Sequence, residues 1–598
     1  MFHQPVDAKR VRRRALRTDV LLAIAIAVIL SVGWGVADWP RLRHMILPDT
    51  DDMVRLAQVR DWIAGQATND WTQYRIAPPA GAPMHWSRVN DVGIAAIILA
   101  MTPMVGRHYA EMTAVLLHPG LLFACALFLS ARVGRRLWGA EGGPVAAVLT
   151  ALAYPGTTVF VPGRIDHHAL QVVLVQLTAL MLMRSSSRLS GGIAGLAAAL
   201  SLIVGLETAP QIVALLAVGF ALWVVRGARE RERLLGLGAA FGGTTLMFLA
   251  LLRPTYWNPA LCDAFTPASS TGMLAVSGVF LALAAMSPRL GDWRSRAAVG
   301  SVLGAAALAV TLCLFPSCLT GPYGAVNPFL RTAFLPYIEE ANGVAALHDI
   351  ARMVAVAGVL TAAAAASIWM MVLERRRWSA VLPIAAVVAI SAAVMLTQVR
   401  GAYIGAPLGA PVLAGLIVIA RQRRRWRGAF VATAWLAAAG PVYAVIPKWL
   451  EPLVAGRAGS KQAAASSTGS PTASCNRGDV WEQIDRYPSG VVMTPTMMAA
   501  YLIGATRMSS VGAGYHRNNV GTMAMYRFFL APPDQSRAIA RDWKTNYVLF
   551  CPGDFGEIEV VKAYPDSLAT GLQQGKAPGW LRRVPLRGTL LQFYRIVQ

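Results

Sequence analysis

Charge is scarce in this sequence. Asp, Glu, Lys and Arg together make up 14% of its 598 residues, while 55% are hydrophobic, against roughly 25% charged in an ordinary soluble domain. No single soluble core requires so much apolar sequence. The apolar residues fall in blocks of about 17 to 25, the length of a bilayer span, so the chain reads as a polytopic membrane protein. Nucleotide signatures are missing as well. There is no Walker motif and no G-x-G-x-x-G in a strand–turn–helix context, so nothing points to a nucleotide-dependent site. Six cysteines are few, and the absence of C-x-x-C removes zinc and thiol-redox motifs. Cys262 and Cys318 fall in outer loops and Cys475 and Cys551 in a C-terminal domain, and both pairs are able to bridge in an oxidising compartment. Cys125 and Cys313 lie in apolar runs and read as packing residues.

The net charge of +24 suggests nucleic acid at first sight, but the basic residues cluster at span ends: Arg10–Arg17, Arg132–Arg136, Arg184–Arg188, Arg226–Arg233, Arg289–Arg296, Arg375–Arg377 and Arg421–Arg427. Short basic loops stay cytoplasmic, which makes the charge a topology signal and leaves no nucleic-acid partner. Spans at about 19–37, 112–131, 143–162, 168–183, 190–206, 208–226, 234–252, 272–287, 297–315, 350–373, 379–397, 402–420 and 429–446 put every basic loop inside. The weaker run at 92–105 ends in Gly-Arg-His-Tyr and is assigned to the first outer loop as a surface helix. The expected organisation is an α-helical multi-span domain over 1–448, with outer loops 38–111, 163–167, 253–271 and 316–349. A linker at 449–475 and a small α/β domain at 476–598 follow. Strand-like runs at Val491–Met493, Ser509–Val511, Tyr547–Cys551 and Leu590–Ile596 alternate there with helical stretches at Met497–Ile503 and Pro533–Trp543. No A-x-A site follows the first span, which is therefore read as retained. The expected location is a bacterial inner membrane, N-terminus cytoplasmic and C-terminal domain periplasmic.

On this topology Asp51, Asp52, Arg164, Asp166, His167, His168, Glu207, Glu339, Glu340 and Arg400 gather at the outer surface. Ionisable residues beside spans mark sites or pathways, although structural ion pairs explain such residues too. Met53, Leu56, Val59 and Ile63 recur at helical spacing, with Arg55, Arg60 and Asp61 off that stripe, so a short amphipathic helix begins near Asp52. Thr50 or Asp51 makes a good N-cap there, a bland alternative to catalysis for the acids. Carboxylates with a histidine suit Mg²⁺ or Mn²⁺, and an arginine suits a phosphate. His85, Trp86, Tyr515 and His516 offer aromatic faces for a sugar ring or an acceptor, and an interfacial or turn role explains each equally well.

These motifs resemble those of the GT-C membrane glycosyltransferases, above all the single-subunit bacterial oligosaccharyltransferases. Asp51 is followed nine positions later by Arg60-Asp61-Trp62-Ile63-Ala64-Gly65, similar to that family's first-loop motif. G-R-I-D-H-H puts Asp166 and His168 on its two second-motif acidic positions. Y-I-E-E resembles its fifth-loop glutamate motif at Glu340, and Q-V-R-G-A-Y-I-G-A-P its phosphate-gripping arginine motif at Arg400. The resemblance runs in order from 45 to 420. It implies an inverting transferase that takes a sugar or oligosaccharide from a polyprenyl phosphate or diphosphate. With the residue cluster above, the candidate roles are Asp51, Asp52 and Glu340 in catalysis, Arg400 and Arg164 on the donor phosphate, and Asp166, His168 and Asp51 on a divalent metal. Glu207 joins His85, Trp86, Tyr515 and His516 as an acceptor or sugar contact. Membrane lipids and an unidentified periplasmic acceptor are the further partners. The family's W-W-D-Y-G acceptor motif is replaced here by Thr494-Pro495-Thr496-Met497-Met498. A protein N-oligosaccharyltransferase and a transporter or flippase of a lipid-linked substrate remain the alternatives.

Overall fold

The computed structural model describes residues 8–347, 349–373, 378–422, 427–454 and 475–597. The basic stretches at 375–377 and 423–426 and the linker core 455–474 lie outside the described residues. Among those described, eight helices are long and apolar enough to cross a membrane, or nine if a bent pair counts as one span. The chain is a multi-pass membrane protein. One of the eight, Leu206–Leu251, contains two of the expected spans, and three shorter apolar helices take up others: Gly142–Ala151, His168–Met183 and Arg188–Val204. All thirteen expected spans therefore fall on helices.

Two of them depart from a simple rod. The span expected at 143–162 ends as an α-helix at Ala151 and resumes as a 3-10 turn over Gly156–Phe160, because Pro155 cannot continue the helix. The last span bends by 82° between Gly428–Ala438 and Gly440–Pro447. There the Gly440 N–H donates to the Leu152 carbonyl at 2.9 Å, and a Cβ on Gly440 would stand 2.3 Å from that oxygen. Helices Arg188–Val204 and Arg231–Leu251 touch backbone to backbone. A Cβ on Gly195 would lie 2.3 Å from the Leu237 carbonyl, and one on Gly236 2.2 Å from that of Arg188. Small residues permit this approach, which is how spans associate without a hydrophobic driving force.

The 92–105 run is helical, as expected, but it is continuous with the next span. A single 50-residue helix, Val89–Trp138, is interrupted only at Gly106, where φ is 78°. Glycine reaches that angle without a steric penalty. Ile94, Ala95 and Ile98 are buried in one cluster with Val480, Trp481, Met498 and Leu502 of the C-terminal domain, while Leu99 and Met104 are exposed. The segment thus carries the domain on one face.

The loop between the first span and Val89 holds a two-stranded ribbon, β1 (Thr72–Gln73) and β2 (Ala82–Pro83). The C-terminal domain is a five-stranded sheet of β3 (Val491–Met493), β4 (Ser509–Ser510), β5 (Tyr547–Phe550), β6 (Leu581–Val584) and β7 (Gln592–Ile596), in the order β4-β3-β5-β7-β6. β3 runs parallel to β4 and β5, and β7 antiparallel to β5 and β6. Four of these strands match the sequence expectation. β6 does not, because its Leu-Arg-Arg-Val sequence turns both arginines outward at the sheet edge, where charge discourages further pairing. The opposite edge, β4, is completed by the loop that carries the β1–β2 ribbon. The Ser510 N–H donates to the Arg75 carbonyl, and the Ala77 N–H to the Ser510 carbonyl, each at 2.8 Å.

Disulfides join Cys475 to Cys551 and Cys262 to Cys318. The first ties the domain's opening residue to the end of β5, and the second ties the loops at 253–271 and 316–349 together. Cys125 and Cys313 are free and exposed on their spans. Loop 316–349 is pinned at both ends. Leu330, Ala333 and Phe334 are buried with Met525, Phe528 and Phe550 of the domain, and the Val399 N–H donates to the Asn342 carbonyl at 2.7 Å.

Candidate functional site

The helix Thr50–Ile63 lies between the spans and the C-terminal domain, against helix Thr496–Ala505. A Cβ on Gly504 would stand 2.7 Å from the Met53 side chain, and Arg60 reaches the Gly504 carbonyl at 2.5 Å. Periodicity led to an expectation of one apolar face and one polar face. Instead every residue from Asp52 to Val59 is buried, because protein covers the helix on all sides. Burying Leu56 or Met53 contributes about 1.5–3 kcal/mol each. The N-cap is neither Thr50 nor Asp51. It is Asp49, whose carboxylate accepts the Asp51 N–H at 3.2 Å, and this leaves the Asp51 side chain without a capping duty.

Asp51 lines a cavity of about 580 Å³ between the spans, loop 316–349 and the C-terminal domain. Of the residues expected at the site, His85, Glu207, Glu340, Arg400, Tyr515 and His516 line the same cavity. Asp52, Trp86, Arg164, Asp166 and His168 do not line it; they stand behind its wall. Asp52 is fully buried and accepts the Asp166 N–H at 2.8 Å. Arg164 donates to Asp49 and stands 3.5 Å from Asp52, so its charge faces these two acids. Trp86 donates its indole N–H to Gln58 at 2.6 Å and lies edge-on to Tyr515.

Behind the cavity wall, Asp166, His167 and His168 each offer a ligand atom within 4.8 Å of the others. The Asp166 carboxylate meets His167 Nδ1 at 2.5 Å with one oxygen and His168 Nδ1 with the other. His167 Nε2 lies 3.3 Å from Glu207 Oε1, and Gln171 donates to Glu207 at 3.0 Å. The network thereby runs from Asp166 to a carboxylate in the cavity. Arg55, fully buried, donates to Asp91 at 2.7 Å and Asp166 at 3.3 Å, and lies 2.9 Å from His167 Nδ1.

Electrostatics follow from this crowding. Burial pushes the Asp51 carboxyl well above its usual range, and the charges of Asp166, Asp49 and Glu340 add to it. Burial raises Asp52 to about 8 even though Arg164 pulls the other way. Burial acts on Asp166 in the same sense, but the imidazoles of His167 and His168 outweigh it and hold the carboxyl well below its usual range. His167 is desolvated, which lowers it, yet Asp166 and Glu207 bring it up to about 10. Burial, helped by the charges of His516 and Arg517, drives His85 well below an ordinary histidine, against the pull of Glu207 and Asp263.

Two further pairs shape the cavity. Arg400 Nη2 lies 3.5 Å from Glu340 Oε2, while Arg400 Nε is buried with no hydrogen-bond partner among the described residues. Also in the lining, Asp263 accepts from Arg517 at 2.7 Å and pairs with His516, and Tyr323 stands edge-on to His516. Sequence reasoning missed Arg55, Asp91, Asp263 and Tyr323 and did not include His167 among the site residues. Only Arg55 left a signal, four residues after Asp51 on one helix face.

The donor set suits a divalent ion. Asp166 Oδ2 and His168 Nδ1 face each other, so a cation taken up between them would meet an oxygen and a nitrogen ligand together.

No protein-family model matches the sequence, and no curated protein does. Solved structures match over nearly the whole chain. The archaeal oligosaccharyltransferase AglB from Archaeoglobus fulgidus, in complex with an inhibitory peptide and a dolichol-phosphate, superposes with a TM-score of 0.67. It is 14% identical, over 98% of this chain and 75% of its own. The chain has the oligosaccharyltransferase fold. The Archaeoglobus fulgidus oligosaccharyltransferase in complex with Zn and sulfate matches with a TM-score of 0.60 over 89% of this chain and 67% of its own. With a disulfide-tethered acceptor peptide containing the NVT sequon it matches with a TM-score of 0.61 over 98% and 74%. Both are again 14% identical.

Proposed function

We propose that this chain is an inverting GT-C glycosyltransferase. It moves a sugar or oligosaccharide from a polyprenyl phosphate or diphosphate to an acceptor at the periplasmic face of a bacterial inner membrane, with its N-terminus cytoplasmic. The observation that carries the reading is one cavity lined at once by an uncapped acid, Asp51, and a phosphate-capable cation, Arg400, within the oligosaccharyltransferase fold.

Asp51 takes the proton of the acceptor nucleophile as the nucleophile bonds to the anomeric carbon. A carboxylate with its pKa raised by burial is suited to that task. The bond from that carbon to the phosphate oxygen breaks, the configuration inverts, and the lipid phosphate leaves as an anion. Arg400 donates to its oxygens, and charge-assisted bonds of this kind are the strong ones. Glu340, beside Arg400, shares the acid-rich side of the cavity, while Asp52 and Arg164 fix the backbone and charge around Asp166 and Asp49. His85, Glu207, Tyr515 and His516 contact the sugar or acceptor, and Trp86 supports His85 and Tyr515 from behind. Asp166, His168 and Asp51 would hold a Mg²⁺ or Mn²⁺ ion, which supplies Lewis-acid neutralisation of phosphate charge when bound.

The test uses purified full-length protein with a panel of polyprenyl-linked mono- and diphosphate sugars. Release of free lipid phosphate that Asp51→Ala abolishes supports the reading. A glycosylated asparagine in a sequon peptide would make the protein an N-oligosaccharyltransferase. Movement of the lipid-linked sugar across proteoliposomes without bond cleavage would make it a flippase.

A further inference from the structure

We propose that Tyr515 is a positioning residue for Asp51: the C-terminal domain extends its phenol hydroxyl to the carboxyl, and the Arg517–Asp263 pair locks it there. The proposal rests on the role given to Asp51 above and adds the group that aims it.

Asp51 belongs to the helix Thr50–Ile63, and the same helix supplies the platform on which Tyr515 rests. Arg55 and Gln58 follow Asp51 at four and seven residues, the spacing of one helix face. Gln58 accepts the Trp86 indole N–H at 2.6 Å, and the Arg55 guanidinium lies 4.7 Å over the Trp86 ring. Tyr515 packs on that held indole, its ring 5.5 Å away and inclined by 83°. The helix that carries the acid thus sets the depth of the phenol. At the far end of the ring, the hydroxyl is 3.4 Å from the Thr50 carbonyl and stands beside the Asp51 carboxyl as its hydrogen-bond partner. An O–H donor bonds well at about 2.5–3.0 Å, so the longer reach to Thr50 leaves the proton for the carboxylate. Tyr515 is only 5% exposed, and water competes little for the same bond.

The turn is locked on both sides of Tyr515. Its N–H donates to the Ala513 carbonyl at 2.8 Å, and the Asn518 N–H donates to the Tyr515 carbonyl at 2.9 Å. Arg517 spans two segments from elsewhere in the chain. Its Nε and Nη2 grip Asp263 at 2.9 and 2.7 Å, and its Nη1 donates to the Met84 carbonyl at 2.9 Å. His516 closes on the same aspartate. Only 6% of the Arg517 side chain and 5% of the Asp263 side chain are exposed, so salt screens this pair little. Met84 lies two residues before Trp86, which fixes the turn against the segment that carries its platform. A carboxylate with one oxygen held by a phenol keeps the other for the acceptor's proton, and a fixed orientation serves a base that must act within hydrogen-bond reach.

The experiment follows lipid phosphate release from polyprenyl-linked sugars by full-length detergent-purified protein, as kcat and KM, with a thermal melt of each variant. Y515F keeps the ring and loses one O–H. Its kcat is expected to fall about 10- to 150-fold, the worth of a hydrogen bond to a charged group, with KM and the melt unchanged. R517Q frees the turn and is expected to lower kcat in the same way. The Y515F/R517Q double variant should stay within about twofold of the slower single variant, because both changes act through one hydroxyl. Y515F decides the matter by itself should R517Q fail to fold. Wild-type kcat in Y515F, a rise in KM with kcat held, an early melt in step with lost activity, or multiplied losses in the double variant would overturn the proposal. A wild type that releases no lipid phosphate from any donor would overturn the function reading instead.

Discussion

Replacing Asp51 with asparagine separates chemistry from scaffolding, because Asp49 already caps the helix. The substitution preserves shape and removes one negative charge from a group crowded by Asp166, Asp49 and Glu340. Burial and those like charges disfavour the ionised carboxylate in the fold, so a neutral amide costs the scaffold nothing, and the melting midpoint is expected to stay or rise. Loss of a general base typically removes 10²- to 10⁴-fold of rate, or about 2.7–5.5 kcal/mol of barrier. The assay is release of lipid phosphate from a polyprenyl-linked sugar, read as kcat and KM in purified protein beside a thermal melt. The expected result is a collapse in kcat, little change in KM and an undiminished melt. Asp49→Ala is the control and should show the reverse: a stability loss of about 1 kcal/mol from the missing cap with the base still in place. An Asp51→Asn protein that keeps more than about a tenth of wild-type kcat, or one that melts early in step with its lost activity, would refute the reasoning.

Arg400→Gln should weaken binding of inorganic pyrophosphate by about 10- to 150-fold, the worth of 1.5–3 kcal/mol in charged hydrogen bonds; titration calorimetry would show it, and Arg400→Lys should not restore it fully. Breaking the Cys475–Cys551 bridge, which spans 76 residues of sequence, should cost the domain about 4.5 kcal/mol on the chain-entropy model, seen as an earlier thermal midpoint. Phe334→Ala should remove about 3 kcal/mol of packing and release loop 316–349 from the C-terminal domain, detectable as faster hydrogen exchange across 323–338. Burial would raise the Glu111 carboxyl, but Arg60 and Arg107 outweigh it and lower it from 4.5. Its contribution to stability is therefore complete above about pH 4.5 and fades as pH falls through the depressed folded value, and Glu111→Gln should flatten that limb of a stability–pH curve.

The spans were legible because hydrocarbon imposes length and composition together. Four strands of the C-terminal sheet announced themselves through β-branched and aromatic runs, whereas β6 hid behind two outward arginines. In the site, acids and arginines at loop positions stood out against an apolar background, so Asp51, Glu340 and Arg400 were visible one by one. Their division into two tiers was not. Nothing in the spacing says that Asp52 and Arg164 fall behind the cavity wall while Tyr515 and His516, more than three hundred residues later in the chain, complete it. Arg55 escaped for a related reason. A periodic pattern assigns arginine to the wet face, and only the arrival of Asp91, Asp166 and Trp86 from other parts of the chain makes a dry position tolerable.

The β4 edge, closed by Arg75–Ala77, has a consequence for biosynthesis. The segment that completes the sheet is made early and waits for a partner near the far end of the polypeptide. Until Ser510 emerges, that loop holds unpaired amides and carbonyls. A C-terminal domain produced alone has the mirror-image problem, an open edge able to recruit a neighbour. Expressed in isolation, it should self-associate, and a synthetic peptide covering residues 70–85 should return it to a monomer.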